Sequence, residues 1–338
     1  MLLLAVTITA CHSIGYTTLG RDHFDYNEAI SASWKEQLLL NMVRLRYGDA
    51  PVFLDVVSVI AQYQVGAQVS ANAPSADRPS TVSAGSATVV YADKPTITYA
   101  PRTGTQLSKT LLTPIPLTSL FALVQAGWDL DLTFMTTVRS INGIPAHERG
   151  SVSAANPAFH RAVAAIARVS ELGAASVRRE GERTLYTLQT EDLSDESRAA
   201  HAELRAALDL DPTTDEYEVV ASRLPTSKRQ IAIGTSTVIE VLNLLASQFE
   251  VPDEHVAHGW TYASVKPAFP ESGRPVIVVH AGSSTPANAF ASTRERGSWF
   301  WVEENDFESK RAFSFLVMLL ALIESGGVVS PVVTIGAG

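Results

Sequence analysis

The sequence predicts an α+β fold in which a long β-hairpin and a helical layer precede two small α+β modules. Three patterns support this fold class: an alternation of apolar and polar residues from Val57 to Ala71 with one apolar exception, a series of short apolar helices from Thr103 onward, and a hairpin-to-helix pattern that occurs twice in the second half. Of the 338 residues, 46% are hydrophobic and 18% are charged. This composition can bury the core of one large domain or of two ordinary ones.

The overall charge excludes one class of partner. The net charge is -9 and the pI is near 5.4, and Lys and Arg do not cluster. We therefore expect no nucleic-acid surface. The apolar stretch from Phe315 to Ile323 is interrupted at Glu324 and stops at the glycines 326 and 327, so it predicts a buried helix rather than a membrane span.

The chain opens with an apolar run over residues 1–10, directly followed by Cys11, the single cysteine of the sequence. The run is too short to cross a bilayer, which needs about 20 apolar residues. Its length is typical of the core of a signal peptide. We expect residues 1–10 to be a signal peptide and residues 11–24 to be a tether or linker.

The quartet Ile8-Thr9-Ala10-Cys11 resembles the lipobox of bacterial lipoproteins. The resemblance implies that the Cys11 thiol receives a diacylglyceryl group, that the peptide is cut before it, and that the new amino terminus is acylated, for example with palmitate. Several acyl chains anchor a protein firmly. His12 stands where an inner-membrane retention signal would have aspartate, which implies the periplasmic face of the outer membrane. The alternative is a buried first strand with a buried free cysteine.

The next predicted element is an amphipathic helix. Asp25 offers a cap, with Glu28 as its capping-box partner, and the helix should end near residues 47–48. One stripe of this helix is apolar, which favours a core role for Trp34 and argues against a ligand contact by Trp34 or Arg44. The stripe consists of Ile30, Trp34, Leu38 and Leu45.

Two β-rich runs follow and complete a predicted unit over residues 25–102. The run from Val57 to Ala71 alternates apolar residues with Gln, Ser and Gly, apart from Ile60. A turn-rich segment over 72–80 leads to a second run from Ala87 to Tyr99, broken at residues 93–95. These runs predict an extended hairpin. A neutral polar face is also typical of strands with water on one side and lipid on the other. The alternative is an ordinary amphipathic hairpin lying on the protein body.

A helical layer should follow the hairpin. Short helices are predicted from Leu117 to Gly127, from Leu130 to Ile141 and from Pro157 to Leu172, with proline in the first turn of the last one.

The second half of the chain suggests an internal duplication. Residues 176–188 and 290–302 both predict a tight hairpin around a glycine, Gly181 and Gly297, and each hairpin leads through acidic residues into a helix. The paired elements are the helices 196–208 and 307–324, the helices that start near Thr118 and Ser236, and the closing strands around Val219 and Val332. Chance similarity is the alternative, because hairpins that run into capped helices are common. We expect modules over 103–223 and 224–338, which resemble in general plan the ring-building domains of envelope-spanning export channels.

Candidate metal and catalytic groups are few. His255 and His258 follow two acidic residues, but Pro252 and Gly259 flank them and favour a solvated acidic turn over a metal site. The segment 280–285 resembles neither a nucleophile elbow nor a helix start, so a polar loop is expected around Ser283.

Helix caps explain the two remaining polar motifs. The segment 233–236 should cap a helix at Ser236 rather than bind phosphate, and Asn305 with Glu308 predicts a capping box. We therefore expect no catalytic residue, no metal and no cofactor.

Together these observations predict a lipid-anchored, non-enzymatic structural or interaction component of the cell envelope, with envelope proteins or further copies of itself as partners. The segments 34–41 and 112–116 also resemble parts of bacterial lipoproteins to which no activity is attached. A second hypothesis is a ring-forming subunit of an export or secretion assembly, with residues 57–99 as a wall hairpin. A third is an envelope hydrolase.

Overall fold

The structure is a computed structural model that describes residues 14–61, 63–70, 86–93, 96–101, 104–147, 156–265, 274–324 and 332–335. The signal peptide predicted for residues 1–10, the lipidation site Cys11 and the turn-rich segment 72–80 lie outside the described residues.

The described residues form an α+β fold with nine helices, as the sequence predicts. The helices are α1 (Ile14–Arg46), α2 (Gly104–Leu112), α3 (Leu117–Gln125), α4 (Leu130–Thr137), α5 (Pro157–Glu171), α6 (Asp195–Leu208), α7 (Val238–Ala246), α8 (Asp253–Ala257) and α9 (Phe307–Glu324).

Fourteen strands complete the described part of the chain. They are β1 (Leu54–Ala61), β2 (Tyr63–Ser70), β3 (Ser86–Asp93), β4 (Thr96–Pro101), β5 (Val138–Ile141), β6 (Ile144–Pro145), β7 (Ala175–Glu180), β8 (Arg183–Leu188), β9 (Glu216–Val220), β10 (Gln230–Thr235), β11 (His280–Gly282), β12 (Ala291–Glu295), β13 (Ser298–Val302) and β14 (Val332–Ile335).

The chain divides into two compact units. The hairpin unit comprises Met1–Ser31, Phe53–Arg102 and Val328–Gly338, and the body comprises Ala32–Val52 and Thr103–Gly327. The hairpin unit contains a three-stranded sheet in the order β14-β1-β4 and a two-stranded sheet of β2 and β3.

The body is built on a six-stranded sheet in the order β6-β5-β10-β9-β8-β7 and a three-stranded sheet in the order β11-β13-β12. Helices α5 and α6 supply buried apolar side chains, among them Phe159, Val163 and Leu204, and the sheet supplies Leu185 and Tyr217. Each such side chain contributes about 1.5–3 kcal/mol when fully removed from water. Strand β10 lies between β5 and β9, so the module boundary predicted at residue 223 falls inside one sheet.

The body helices begin where short polar side chains can accept from their free N–H groups. Asn156 caps α5 ahead of Pro157, Ser194 caps α6, and Thr237 forms a capping box with Glu240 at α7. The predicted start of α7 is thus confirmed to within a residue or two, although the capping side chain belongs to Thr237 and not to Ser236.

Two helix boundaries and one helix cap differ from the prediction. Helix α1 begins at Ile14, so the predicted helix start at Asp25 is wrong. Residues 14–24 of the predicted linker are helical. Helix α4 ends at Thr137 and gives way to β5, because Val138 and Ile141 are needed as buried sheet residues. At α9 the cap is Asp306, which accepts from Ser309 N at 3.1 Å, rather than Asn305.

Only part of the predicted duplication, a hairpin followed by a helix, is present in both modules. Both hairpins form as predicted, β7–β8 around Gly181 and β12–β13 around Gly297, and each leads into its predicted helix. The closing strands are not equivalent. Strand β9 pairs with β8 of its own hairpin, whereas β14 pairs with β1 of the hairpin unit.

Candidate functional site

The predicted extended hairpin is present as a long antiparallel ladder. Ile60 faces Thr96 in the β1–β4 pair, and Tyr63 faces Asp93 in the β2–β3 pair. Between these two pairs, one strand advances by three residues and the other goes back by three. The two sheets therefore keep one register on either side of residue 62. This ladder runs to Ser70 opposite Ser86, and its single irregularity in the described pairs lies between Val56 and Ser58.

Strand β14 adds to this hairpin in a way that periodicity does not predict. It pairs in parallel with β1, with Ser58 facing Val332 and Ala61 facing Ile335. Because β4 occupies the opposite side of β1, the sheet has β14 at one margin and β4 at the other. Among the described strands, neither margin has a further partner.

The open strands of the hairpin unit are almost free of charge. Strands β2, β4 and β14 contain no Asp, Glu, Lys or Arg, and β3 contains only Asp93 at its end. The unpaired N–H and C=O groups of an open strand are a template for pairing with another chain. Open edge strands are therefore usually protected by charged residues, by proline, or by being very short.

The margins of the sheets in the body follow that rule. Strand β7 carries Arg178, Arg179 and Glu180, and β12 ends in Arg294 and Glu295. The opposite margins are short, since β6 has two residues and ends in proline and β11 has three. Each described margin of the body is thus either charged or no longer than three residues. In the hairpin unit, β4 has six residues that end in Pro101 and β14 has four, and neither strand carries a charge. This contrast makes the hairpin unit the candidate interaction surface.

A second arrangement lies in the body at the carboxyl end of α1. Tyr47 and His255 are both buried, and the Tyr47 hydroxyl lies 2.6 Å from His255 Nδ1. Burial raises the pKa of Tyr47 to about 12 and lowers the pKa of His255 below its ordinary value. Both groups are therefore neutral. The Glu254 carboxylate lies 3.8 Å from Nε2 and favours the tautomer that carries its proton there, so the phenol donates to Nδ1 and fixes α8 to the end of α1.

Arg46 is the largest buried charged side chain of this region, with 2% of its surface exposed. Its guanidinium donates from Nη1 to Thr261 Oγ1 at 2.9 Å and from Nη2 to the Tyr262 carbonyl at 2.6 Å, and it lies 3.9 Å from the centre of the Tyr262 ring. Nε has no hydrogen-bond partner among the described residues. Arg46 holds the segment after α8 in place through its fork of donors.

The outer side of this region is aromatic. Trp260 is 45% exposed and stacks on His258 with ring centres 5.0 Å apart, and Tyr262 is 51% exposed. Arg296 lies over the Tyr47 ring and forms an ion pair with Asp49 at 2.8 Å.

The acidic turn predicted around His255 and His258 is only half right. His258 is exposed, and its Nδ1 lies 2.7 Å from the Glu254 carbonyl. His255 instead faces inward from the short helix α8, which Pro252 starts rather than prevents. Among the described residues, no group of three or more His, Cys, Asp or Glu side chains could hold a metal ion.

The loop around Ser283 is exposed, as expected of a polar loop. His280 lies in β11, where its Nδ1 is 3.1 Å from a carboxylate oxygen of Glu250. A groove of about 340 Å³ between α4 and α9 is lined by charges of both signs, Asp129, Arg274, Glu308 and Arg311. Arg274 is engaged by Asp306, the cap of α9.

Trp34 is not part of the core, since 51% of its surface is exposed. The buried face of α1 is rotated from the predicted stripe and carries Leu38, Leu39, Met42 and Val43. Arg44 is half-buried beside Glu295 at 3.7 Å. None of the described helices has the length and apolarity needed to cross a bilayer.

Comparison with known proteins gives no relationship. No family model matches the chain, and no curated protein or solved structure shows significant similarity to it.

Proposed function

We propose that this protein is a non-enzymatic structural or interaction component of the bacterial cell envelope, tethered to the periplasmic face of the outer membrane through lipidated Cys11. The lipobox-like quartet that ends at Cys11 supports the tether. The observation that carries the structural role is the set of open strands in the hairpin unit, β2, β3, β4 and β14, in which Asp93 is the only charged residue. An open strand edge of this kind is a template for pairing with another chain.

Mass spectrometry of the mature amino terminus tests the tether. We expect the chain to begin at Cys11, with a diacylglyceryl group on the thiol and an acyl chain on the amine. Cys11→Ser should move the protein from the membrane fraction to the periplasm. His12→Asp should leave the acyl groups in place and move the protein to the inner membrane. An unmodified Cys11 thiol in the mature protein would contradict the proposal.

A second function is favoured by the length of the ladder. In this proposal the chain is a ring-forming subunit of an envelope-spanning export or secretion assembly, with residues 57–99 as a wall hairpin. Strands β1 and β2 together run from Leu54 to Ser70, and a tilted strand needs only about 9–11 residues to cross a bilayer. The alternation of apolar and neutral polar residues over 57–71 suits a wall with lipid on one side and water on the other.

Size and insertion test this second function. A detergent-extracted particle should be a large multiple of the chain mass of 36.3 kDa. Lysine at Val59, Tyr63 or Val65, on the apolar side of the alternation, should prevent membrane insertion, whereas Gln64→Lys on the polar side should not. A particle of monomer mass would exclude the ring and leave the tethered component standing.

A further inference from the structure

We propose that copies of this chain join edge to edge, with β4 of one copy pairing in antiparallel orientation with β14 of the next. The proposal rests on the ring-forming function above and names its interface. It starts from the two margins of the sheet β14-β1-β4, which no other described strand covers.

The directions of the strands set the geometry of this contact. Strand β14 runs parallel to β1, and β4 runs antiparallel to it. The two margins therefore run in opposite directions. When two copies stand side by side in the same orientation, β4 of one and β14 of the other form an antiparallel ladder, which is slightly more stable per residue than a parallel ladder.

The choice of partner follows from chemistry. A charged edge opposes pairing with another strand, and the body margin β7 carries Arg178 and Arg179. Strand β4 has a proline only at its last position, Pro101, which leaves Thr96–Ala100 able to pair. Strands β4 and β14 carry no charge to oppose pairing or to select a charged partner. Another copy of the chain supplies the complementary edge in the required direction, so the occupant is a second copy.

The interface is therefore heterologous. A two-fold contact of β4 with β4 inverts one copy relative to the other, which a common tether at Cys11 opposes because it holds all copies on one membrane face. When two different edges join head to tail, the copies form a closed ring or an open filament. Only closure removes the last pair of free edges.

Cysteine cross-linking of the full-length, membrane-extracted protein tests this interface, because Cys11 is the only native cysteine. Thr98 is exposed on β4, so Thr98→Cys is combined in turn with cysteine at each of the four positions of β14, from Val332 to Ile335. Four consecutive positions sample both faces of the strand. The expected result is that at least one double variant forms a ladder of trimers and larger products on oxidation, while every single variant and the wild-type chain run as monomers.

Two controls accompany the series. Thr98→Cys combined with Glu182→Cys, in the exposed turn between β7 and β8, reports random collisions and should give no ladder. The reduced variants must also match the wild-type native mass and circular dichroism, which shows that they fold and assemble.

The outcomes separate the interface from the function. Dimers from Thr98→Cys alone would overturn the heterologous contact. A large native particle without cross-linking at any of the four β14 positions would overturn the edge interface and leave the ring-forming function intact. A monomeric wild-type particle would overturn both.

Discussion

The Tyr47 hydroxyl donates to Nδ1 of His255 across 2.6 Å, and both side chains are shielded from water. Tyr47 follows the last residue of α1, and His255 lies in α8. One hydrogen bond thus joins two segments that are far apart in the chain. The imidazole accepts in its neutral form, which leaves Nε2–H to point toward the Glu254 carboxylate 3.8 Å away.

Removing this hydroxyl should destabilise the body. Tyr47→Phe leaves a buried imidazole nitrogen without its donor, and an unsatisfied buried polar group costs about 1–3 kcal/mol. Urea unfolding followed by circular dichroism measures the change. His258→Ala removes an exposed neighbour of the same helix and should change the free energy of unfolding by less than about 0.5 kcal/mol. Equal effects of the two variants would contradict a specific role for the Tyr47–His255 bond.

Stability should fall on acidification because of the same histidine. Burial lowers the pKa of His255 below its ordinary value of 6.5 in the folded protein, and in the unfolded chain the ordinary value returns. Below pH 6.5 the unfolded state therefore binds more protons than the folded state. The free energy of unfolding declines from that pH down to the lowered pKa of the folded state.

The variant that tests this dependence is His255→Gln, which retains an acceptor for Tyr47 but has no proton to gain. Denaturant titrations between pH 5 and pH 8 should show a shallower decline for this variant than for the wild type. Burial also lowers the pKa of His147, so part of the decline should persist. An unchanged slope in His255→Gln would refute the assignment.

Replacing Arg46 with lysine should destabilise the body. Its two terminal nitrogens reach Thr261 and the Tyr262 carbonyl together, a geometry that one ammonium group cannot reproduce. Arg46→Lys should cost about 1.5–3 kcal/mol, the range for a lost hydrogen bond to a charged group. Limited proteolysis should show faster cleavage near residues 260–265. Arg44→Lys, at a surface ion pair with Glu295, should change stability by about 0–1 kcal/mol.

A single charge at the sheet margin should block assembly without unfolding the chain. Thr98→Lys introduces on β4 the kind of charge that the body places on β7. We expect the native particle mass to fall toward that of the monomer while the circular dichroism spectrum stays unchanged. Ser176→Lys, at an exposed position of β7, is the matched control and should leave the particle mass unaltered. Loss of assembly in both variants would point to charge in general rather than to the β4 edge.

The elements predicted correctly are those whose signal is local, whereas the buried face of α1 depends on its packing and was predicted wrongly. The alternation over 57–71 predicts the first strand of the extended hairpin. Gly181 and Gly297 predict the turns of two further hairpins, and their φ angles of 60° and 87° are ones that residues with a side chain rarely adopt. Helix α9 has the predicted bounds, since an apolar run bounded by acidic residues and glycines leaves few alternatives.

Features that depend on distant pairing could not be predicted. Nothing in the four residues of β14 indicates that they pair with β1 rather than with a strand of their own module. The roles of Arg46 and Tyr47 could not be predicted from the sequence for a similar reason. An arginine and a tyrosine at a helix end are typical surface residues, and only the packing of α8 makes them buried.

The place of β14 in the sheet imposes an order of events on biogenesis. Its partner β1 leaves the ribosome early, whereas β14 is the last described element to emerge. Until then, one side of β1 lacks the neighbour that it has in the finished sheet. A contact of such large sequence separation forms slowly, because loop closure precedes any gain from pairing. In the proposed assembly, a nascent or truncated chain therefore lacks the strand that receives the next copy, and only a complete chain can be incorporated.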